Sequence, residues 1–519
     1  MKYKLSKDSI RKWALPVLFL LVACAFAVGS SPVYRTNPWV DSNAMLTMGK
    51  AMLHGYVPFK DIIDQRGPVL YGLFALGASI RENSFSGVFI VQVINVVIVY
   101  VLTWKIAEIF KIKVIDSKWI ALIGPTILLS TSAFSFSGSP EEFAFTSILY
   151  LLLVVNRARQ NIDNISLKSF FFLGINLGLI FWNKFSMTGA FVAFFVWTAC
   201  FFIHEKDFKK LAKVVLASFL GFAIISIAVF IYFSINNAVG DLIKMYFVQN
   251  LTSYGQSNQT ELMKVWNLLF LLGQEIHEHM IVAVLIVAGW RKAIYDKQHI
   301  TLEVTLFLGT ILFVALQHWL NEYYNLVWIS FLVVAVLRLL NFELPKIGNE
   351  KSLFVPAKII LVVVLILLPF ANNKDLNNLV IRGENTSFNH YRYVAQPHFA
   401  NIMLQKEKKP SLLMVNDLDD GFYLAANILP TTRYWQKLNM TYQQLPRMYN
   451  SFDHTLRNKR VDFVIVRLAG MPVPDHDGLI NQISNSVDSH LRHQLFENYQ
   501  IESVSQNSMN DSYVLMYKK

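Results

Sequence analysis

Acidic and basic side chains crowd one short stretch of an otherwise apolar chain. Between residues 30 and 67 stand Asp41, Lys60, Asp61, Asp64 and Arg66, among turn-forming residues such as Pro38, Gly55, Pro58 and Gly67. A carboxylate can take a proton and a cation can hold a phosphate, so these acids, together with Lys184, His318, Tyr323 and Tyr324 in other loops on the same side of a membrane, suit a site for an anionic, lipid-linked substrate. Asp41 precedes the run 44–53, whose apolar residues suit an amphipathic helix lying on a membrane. At the start of such a helix the dipole favours a carboxylate, so a cap explains Asp41 as well as catalysis does.

Other chemistry-bearing residues fall at the ends of apolar runs. Ser139-Pro140-Glu141-Glu142 reads as a helix start, with capping as the ordinary explanation of its acids. Asn183-Lys184 places one cation between two apolar runs, where it could snorkel to an interface. In 317–324, His318, Glu322, Tyr323 and Tyr324 lie together, and an aromatic belt would account for the tyrosines. Glu275, His277, Glu278 and His279 resemble a metal cluster, but histidines two apart on a helix point to different faces. Asn416 to Gly421 resembles a calcium-loop fragment without its terminal glutamate, which makes a solvated turn the better reading. The two cysteines, Cys24 and Cys200, lie in apolar runs and support neither a disulfide framework nor a thiolate metal site.

The elements that must carry these residues are membrane helices. Of 519 residues, 54% are hydrophobic and only 16% charged, with mean hydropathy +0.39. Such a composition excludes a water-soluble globular protein. Apolar runs at 13–28, 87–109, 118–136, 142–156, 168–183, 187–203, 211–234, 264–289, 302–319, 324–340 and 355–372 give about eleven spans. The run 69–80 is too short to span and is expected to lie in the interface or re-enter. With that run not crossing, the lysines and arginines near 111–118, 157–168, 206–213, 291–297 and 346–351 all fall in cytoplasmic loops. The net charge of +12 thus reports topology before any nucleic-acid partner. The N-terminus is then cytoplasmic. Residues 373–519 follow the membrane module 1–372 as a small extracytoplasmic α/β domain, with β-like runs at 412–415, 461–466 and 513–517 and a helix-like stretch at 421–428.

An acid just after the first span, then Gly-Tyr-Val-Pro-Phe-Lys-Asp at 55–61, then Asp-Gln-Arg-Gly-Pro at 64–68, resembles the membrane-embedded GT-C glycosyltransferases. Within them the chain is most similar to the bacterial branch related to protein O-mannosyltransferases and to lipopolysaccharide and aminoarabinose transferases. The resemblance covers roughly 13–340 and rests on loop motifs and topology. It implies a polyprenyl-phosphate sugar donor, an extracytoplasmic acceptor and membrane lipid as partners, with no nucleic acid. Carried over, it makes Asp41 the catalytic base or an acceptor-orienting carboxylate, Glu141 or Glu142 the second acidic position, and Arg66 and Lys184 the cations facing donor phosphate. His318, Tyr323 and Tyr324 would join the substrate site, and Asp61 and Asp64 would support the first loop. Relatives often carry Asp-Glu where this chain has Asp41-Ser42, which weakens a two-carboxylate or metal-bridging role there. No cofactor is implied with certainty, and a divalent metal stays open. In-line attack implies inversion at the anomeric carbon, and surface glycopolymers such as teichoic acids or wall polysaccharides are the expected acceptors.

Two other classes fit part of the pattern. A lipid-linked sugar flippase would share the many spans, but inverted repeats and matched broken helices are not evident. A non-catalytic envelope assembly protein would not need Asp41 at all.

Overall fold

The computed structural model describes residues 7–34, 37, 39–112, 115–134, 137–253, 261–317, 321–341, 351–371, 395–470, 476–506 and 512–519. Where its residues are described, each of the eleven apolar runs contains helix, beginning with α1 (Lys7–Ala27), as a chain with no water to satisfy its backbone must. Among the described residues, four helices are long and apolar enough to cross a membrane: Ser86–Phe110, Leu167–Met187, Phe208–Ile235 and Glu322–Leu339. A fifth such segment is broken. Met263–Glu278 and Met280–Tyr295 meet at 87°, so the expected single span 264–289 is two helices. The break falls where Glu275, Glu278 and His279 interrupt the apolar run, and His279 leaves helical geometry at φ −126° and ψ 42°. The chain is a polytopic helical membrane protein with a small sheet near its C-terminus.

The chain divides into two compact units, of which the first comprises Met1–Val28, Gln92–Val229 and Gln259–Asn377. Its helices approach closely where side chains vanish. A Cβ on Gly174 would lie 2.0 Å from the Ser218 carbonyl oxygen, and one on Gly221 would lie 2.0 Å from that of Phe171. Small residues do this in membranes, where packing rather than water exclusion drives association. Arg338 and Glu303 form a buried pair, Nη2 to Oε2 2.6 Å, into which Asn156, Gln160 and Trp290 also bond. A buried pair calls for partners on its remaining polar atoms, and among the described residues Arg338 Nε lacks one.

The second unit comprises Gly29–Val91, Phe230–Asn258 and Asn378–Lys519. Its first part holds helix α2 (Val40–Leu53) and helix α3 (Pro68–Ile80). At 13 residues α3 is about 20 Å long, short of the roughly 30 Å of a hydrocarbon core. The pair pack backbone to backbone: a Cβ on Gly49 would lie 2.6 Å from the Phe74 carbonyl carbon. Helix α2 forms where the apolar run indicated, but it is not a surface helix. Residues 42–51 are all buried, Lys50 included. The reason is the C-terminal part of the chain, which covers it.

That part is α/β, with a four-stranded sheet in the order β1-β2-β4-β3. Strand β1 (Leu412–Met414) runs parallel to β2 (Phe463–Leu468), and β4 (Ser512–Lys518) is antiparallel to both β2 and the edge strand β3 (Tyr499–Gln506). The sequence signalled β1, β2 and β4 through their apolar runs but not β3, whose polar Gln500, Glu502, Ser503 and Ser505 suit an edge. Of the expected helix 421–428, only Phe422–Ala425 is helical.

The sheet domain grips the first loop through buried polar contacts. Thr47 donates to Asp419 Oδ2 (3.1 Å), and Lys50 Nζ reaches Asn83 Oδ1 and Asn427 Oδ1, each at 2.6 Å. Burial pulls the Lys50 ammonium below its ordinary pKa, partly countered by Glu82. Trp435 Nε1 donates to the Ile63 carbonyl (3.2 Å), the Ile63 amide to the Arg433 carbonyl (2.9 Å), and Arg433 Nη2 to the Phe59 carbonyl (3.0 Å). Gly421, at φ +91°, is the one residue type that fits its place: a Cβ there would meet Asn43 Oδ1 at 2.9 Å.

Candidate active site

Two groups of the sequence-nominated residues form, one in each unit. In the second unit the chain leaves α2, turns at 54–63 and enters α3, and this path returns Arg66 to Asp41. Arg66 Nη2 lies 2.8 Å from Asp41 Oδ1 and Nη1 2.7 Å from Asp64 Oδ2, so one guanidinium is forked between two carboxylates. Asp41 is not a cap. The N-cap position belongs to Trp39, which makes no side-chain cap bond, and Asp41 stands in the first turn facing Arg66. Asp64 is fully buried and also accepts the Gln65 amide at 2.6 Å, while the Arg66 amide donates to Tyr71 Oη at 2.8 Å. Asn250 Nδ2 holds the Gln65 carbonyl (2.9 Å) from a π-helical stretch, Ile243–Gln249, that continues into Asn250–Ser253. Asp61 does different work: its Oδ2 accepts the Val57 amide (2.7 Å) and closes the turn. That turn forces Phe59 to φ +69°, and its buried ring packs on Tyr71, Phe233 and Tyr246.

In the first unit, helix Pro140–Arg157 opens with a capping arrangement. Ser139 Oγ accepts the Glu142 amide (3.3 Å), and Glu142 Oε2 accepts the Gly138 amide (2.7 Å) and the Gln92 side-chain amide (2.8 Å). The capping reading of Ser139 and Glu142 therefore holds. Glu141 points elsewhere: its Oε1 pairs with Lys184 Nζ at 2.7 Å, and that ammonium lies 3.6 Å above the Tyr324 ring. Lys184 is thus held between a carboxylate and an aromatic face, where a snorkelling cation would need neither. Tyr323 stands edge-on to Tyr324, with centroids 4.9 Å apart. Among the described residues, the buried acceptors Glu141 Oε2, Glu142 Oε1, Asn183 Oδ1 and Gln92 Oε1 have no hydrogen-bond donor. His318 lies outside the described residues.

No three His, Cys, Asp or Glu side chains converge to hold a metal among the described residues, at 275–279 or at 416–421. Instead Asp419 closes its own loop, its Oδ1 accepting the Gly421 (3.1 Å) and Phe422 (2.8 Å) amides. Burial pushes Asp419 up to about 6 and Asp420 up to about 7, although Tyr513 Oη donates to Asp420 at 2.5 Å. Sequence reasoning missed the loop-gripping residues Asp419, Asn427, Arg433 and Trp435, because nothing local to them refers to a segment some 370 residues away.

Among solved structures, ArnT from Cupriavidus metallidurans bound to undecaprenyl phosphate superposes with TM-score 0.60 at 10% sequence identity, covering 98% of each chain. Its apo form gives TM-score 0.62 at the same identity and coverage. The fold is that of ArnT. The GT-C architecture expected from the first-loop motifs thus extends over nearly the whole chain, the C-terminal α/β part included. Neither a family model nor a curated protein matches the sequence.

Proposed function

We propose that this chain transfers a sugar from a polyprenyl-phosphate donor to an extracytoplasmic acceptor, a cell-surface glycopolymer. The observation that carries the reading is the ArnT-like fold along 98% of the chain, in a relative crystallised with undecaprenyl phosphate. Two carboxylate–cation groups at the nominated positions support it. The N-terminus is assigned to the cytoplasm and the α/β part to the opposite face, on the charge of the loops.

In this reading Asp41 is the base. The acceptor hydroxyl gives its proton to Asp41 as its oxygen bonds to the anomeric carbon, and the bond from that carbon to the phosphate oxygen breaks with its electron pair on the polyprenyl phosphate. Arg66 or Lys184 neutralises the departing phosphate, with inversion at carbon. Arg66 lies beside the proposed base, on Asp41 and Asp64, and Lys184, in the other unit, is held by Glu141 and the face of Tyr324. The donor-less oxygens Glu141 Oε2 and Asn183 Oδ1 suit sugar hydroxyls or bound water, since an unmet buried acceptor costs about 1–3 kcal/mol. Asp61, Asp64, Tyr323 and Tyr324 support the two groups.

The test is the sugar composition and linkage of envelope polymers from a strain lacking the chain, complemented with wild type or Asp41→Ala at equal membrane abundance. A sugar branch that returns only with wild type supports the transferase. Restoration by both versions removes Asp41 from catalysis, and no polymer change on deletion favours the flippase or assembly reading.

A further inference from the structure

The α/β part carries a cleft that the transfer chemistry does not use. It is about 490 Å³ in volume and is built from the segment after β1, the start of helix Ser489–Asn498 and the residues just before it. Lys437 and Arg492 stand in its wall, with the amides of Asn439 and Asn485 and the hydroxyl of Ser489. Neither cation forms an ion pair among the described residues; Arg492 spends only Nε, on the Val487 carbonyl at 3.1 Å. The one acid in the wall, Asp488, meets His490 through Oδ1 alone, which accepts the His490 amide (3.0 Å) and bonds the His490 ring (2.7 Å), so the wall carries two cations to one carboxylate. Tyr449 lies beneath the cleft, its ring buried and its hydroxyl donating to the Met440 carbonyl (2.8 Å). Beside it Tyr442 stacks on the His490 ring at 3.9 Å and 8°.

We propose that this cleft binds an anionic saccharide, with Lys437 and Arg492 taking its phosphate or carboxylate and Asn439, Asn485 and Ser489 its hydroxyls. The volume is that of a small-ligand site. A wall of amides, hydroxyls and unpaired cations gives a lipid tail nothing to bury against, whereas a ring bearing many hydroxyls and one charge meets a partner at each polar group. The ligand is a soluble glycan segment, and the inference stands whether or not the chain is a transferase.

Calorimetric titration of the purified full chain in nanodiscs with mannose 6-phosphate, mannose and inorganic phosphate tests it. The sugar phosphate is expected to bind at least about tenfold more tightly than either of its parts, a difference of about 1.4 kcal/mol. Lys437→Gln with Arg492→Gln should weaken it about tenfold or more, while Arg457→Gln, on an exposed arginine outside the cleft, leaves it unchanged. Should the double variant fail to fold, Ser489→Glu, which sets a like charge in the wall, is expected to weaken binding alone. No binding of mannose 6-phosphate to about 10 mM, equal binding of mannose, or wild-type binding by the folded variants would overturn the proposal.

Discussion

Two cation–carboxylate groups occupy the two units of this protein, and they are built on opposite plans. Around Arg66, two aspartates share one guanidinium, and the loop that bears them is tied by hydrogen bonds to the α/β domain far along the chain. Around Lys184, a single glutamate and a tyrosine ring hold one ammonium at the ends of membrane helices. The first group has a formal excess of negative charge and depends on a soluble-type domain for its shape. The second is balanced and depends on helix packing. Substitutions in the first group should therefore be read against the α/β domain that shapes it, and those in the second against the packing of the membrane helices.

Asp41→Asn should break the first group most severely. It preserves shape and size but removes the proton acceptor, and transfer is expected to fall by about 100-fold or more with membrane abundance unchanged, read by radiolabelled sugar transfer. Lys184→Ala comes next. It should cost transfer about tenfold or more and also stability, because Glu141 is left buried and unpaired; removing one member of a buried pair typically costs about 3–5 kcal/mol. Adding Glu141→Gln should restore the melting temperature without restoring transfer, which separates the chemical role from the structural one. Arg338→Ala gives the contrasting control: a similar loss of stability through unpaired Glu303, with transfer per folded molecule unchanged.

A smaller effect probes the domain that shapes the first group. Asp419 and Asp420 have native pKa values raised to about 6 and about 7, above the unfolded carboxylate value of 3.8. Between about pH 4 and 7 the native state therefore binds more protons than the unfolded state, and its stability should fall as pH rises through that window. The nearby Asp462, held below its usual range by Lys518 and Ser411 against the cost of burial, acts oppositely and only at lower pH. Asp419→Asn should flatten part of the slope in thermal unfolding of the full chain. A slope unchanged by the substitution would show that Asp419 does not titrate with folding.

The membrane half was legible because its signal is local: each apolar run became helix, and Ser139 with Glu142 capped the helix their spacing indicated. The bend at His279 was not legible: the polar block 275–279 stood inside a run that reads as one span, and only the packing of its two halves shows that they are separate helices. The placing of Asp41 against Arg66 was half legible, since the loop motif nominated both residues but the pairing depends on how α2 and α3 pack through Gly49 and Phe74. The enclosure of α2 was not legible. Its apolar residues suit a membrane surface and a protein interior alike, and only Asp419, Asn427 and Trp435, far along the chain, decide between them.

The most direct measurement is transfer by the purified full chain from defined polyprenyl-phosphate sugars in nanodiscs, wild type against Asp41→Asn at matched loading. Turnover with wild type and none above background with Asp41→Asn is the expected result. Equal turnover by both proteins would contradict the role of Asp41 and with it the assignment of chemistry to the Arg66 group.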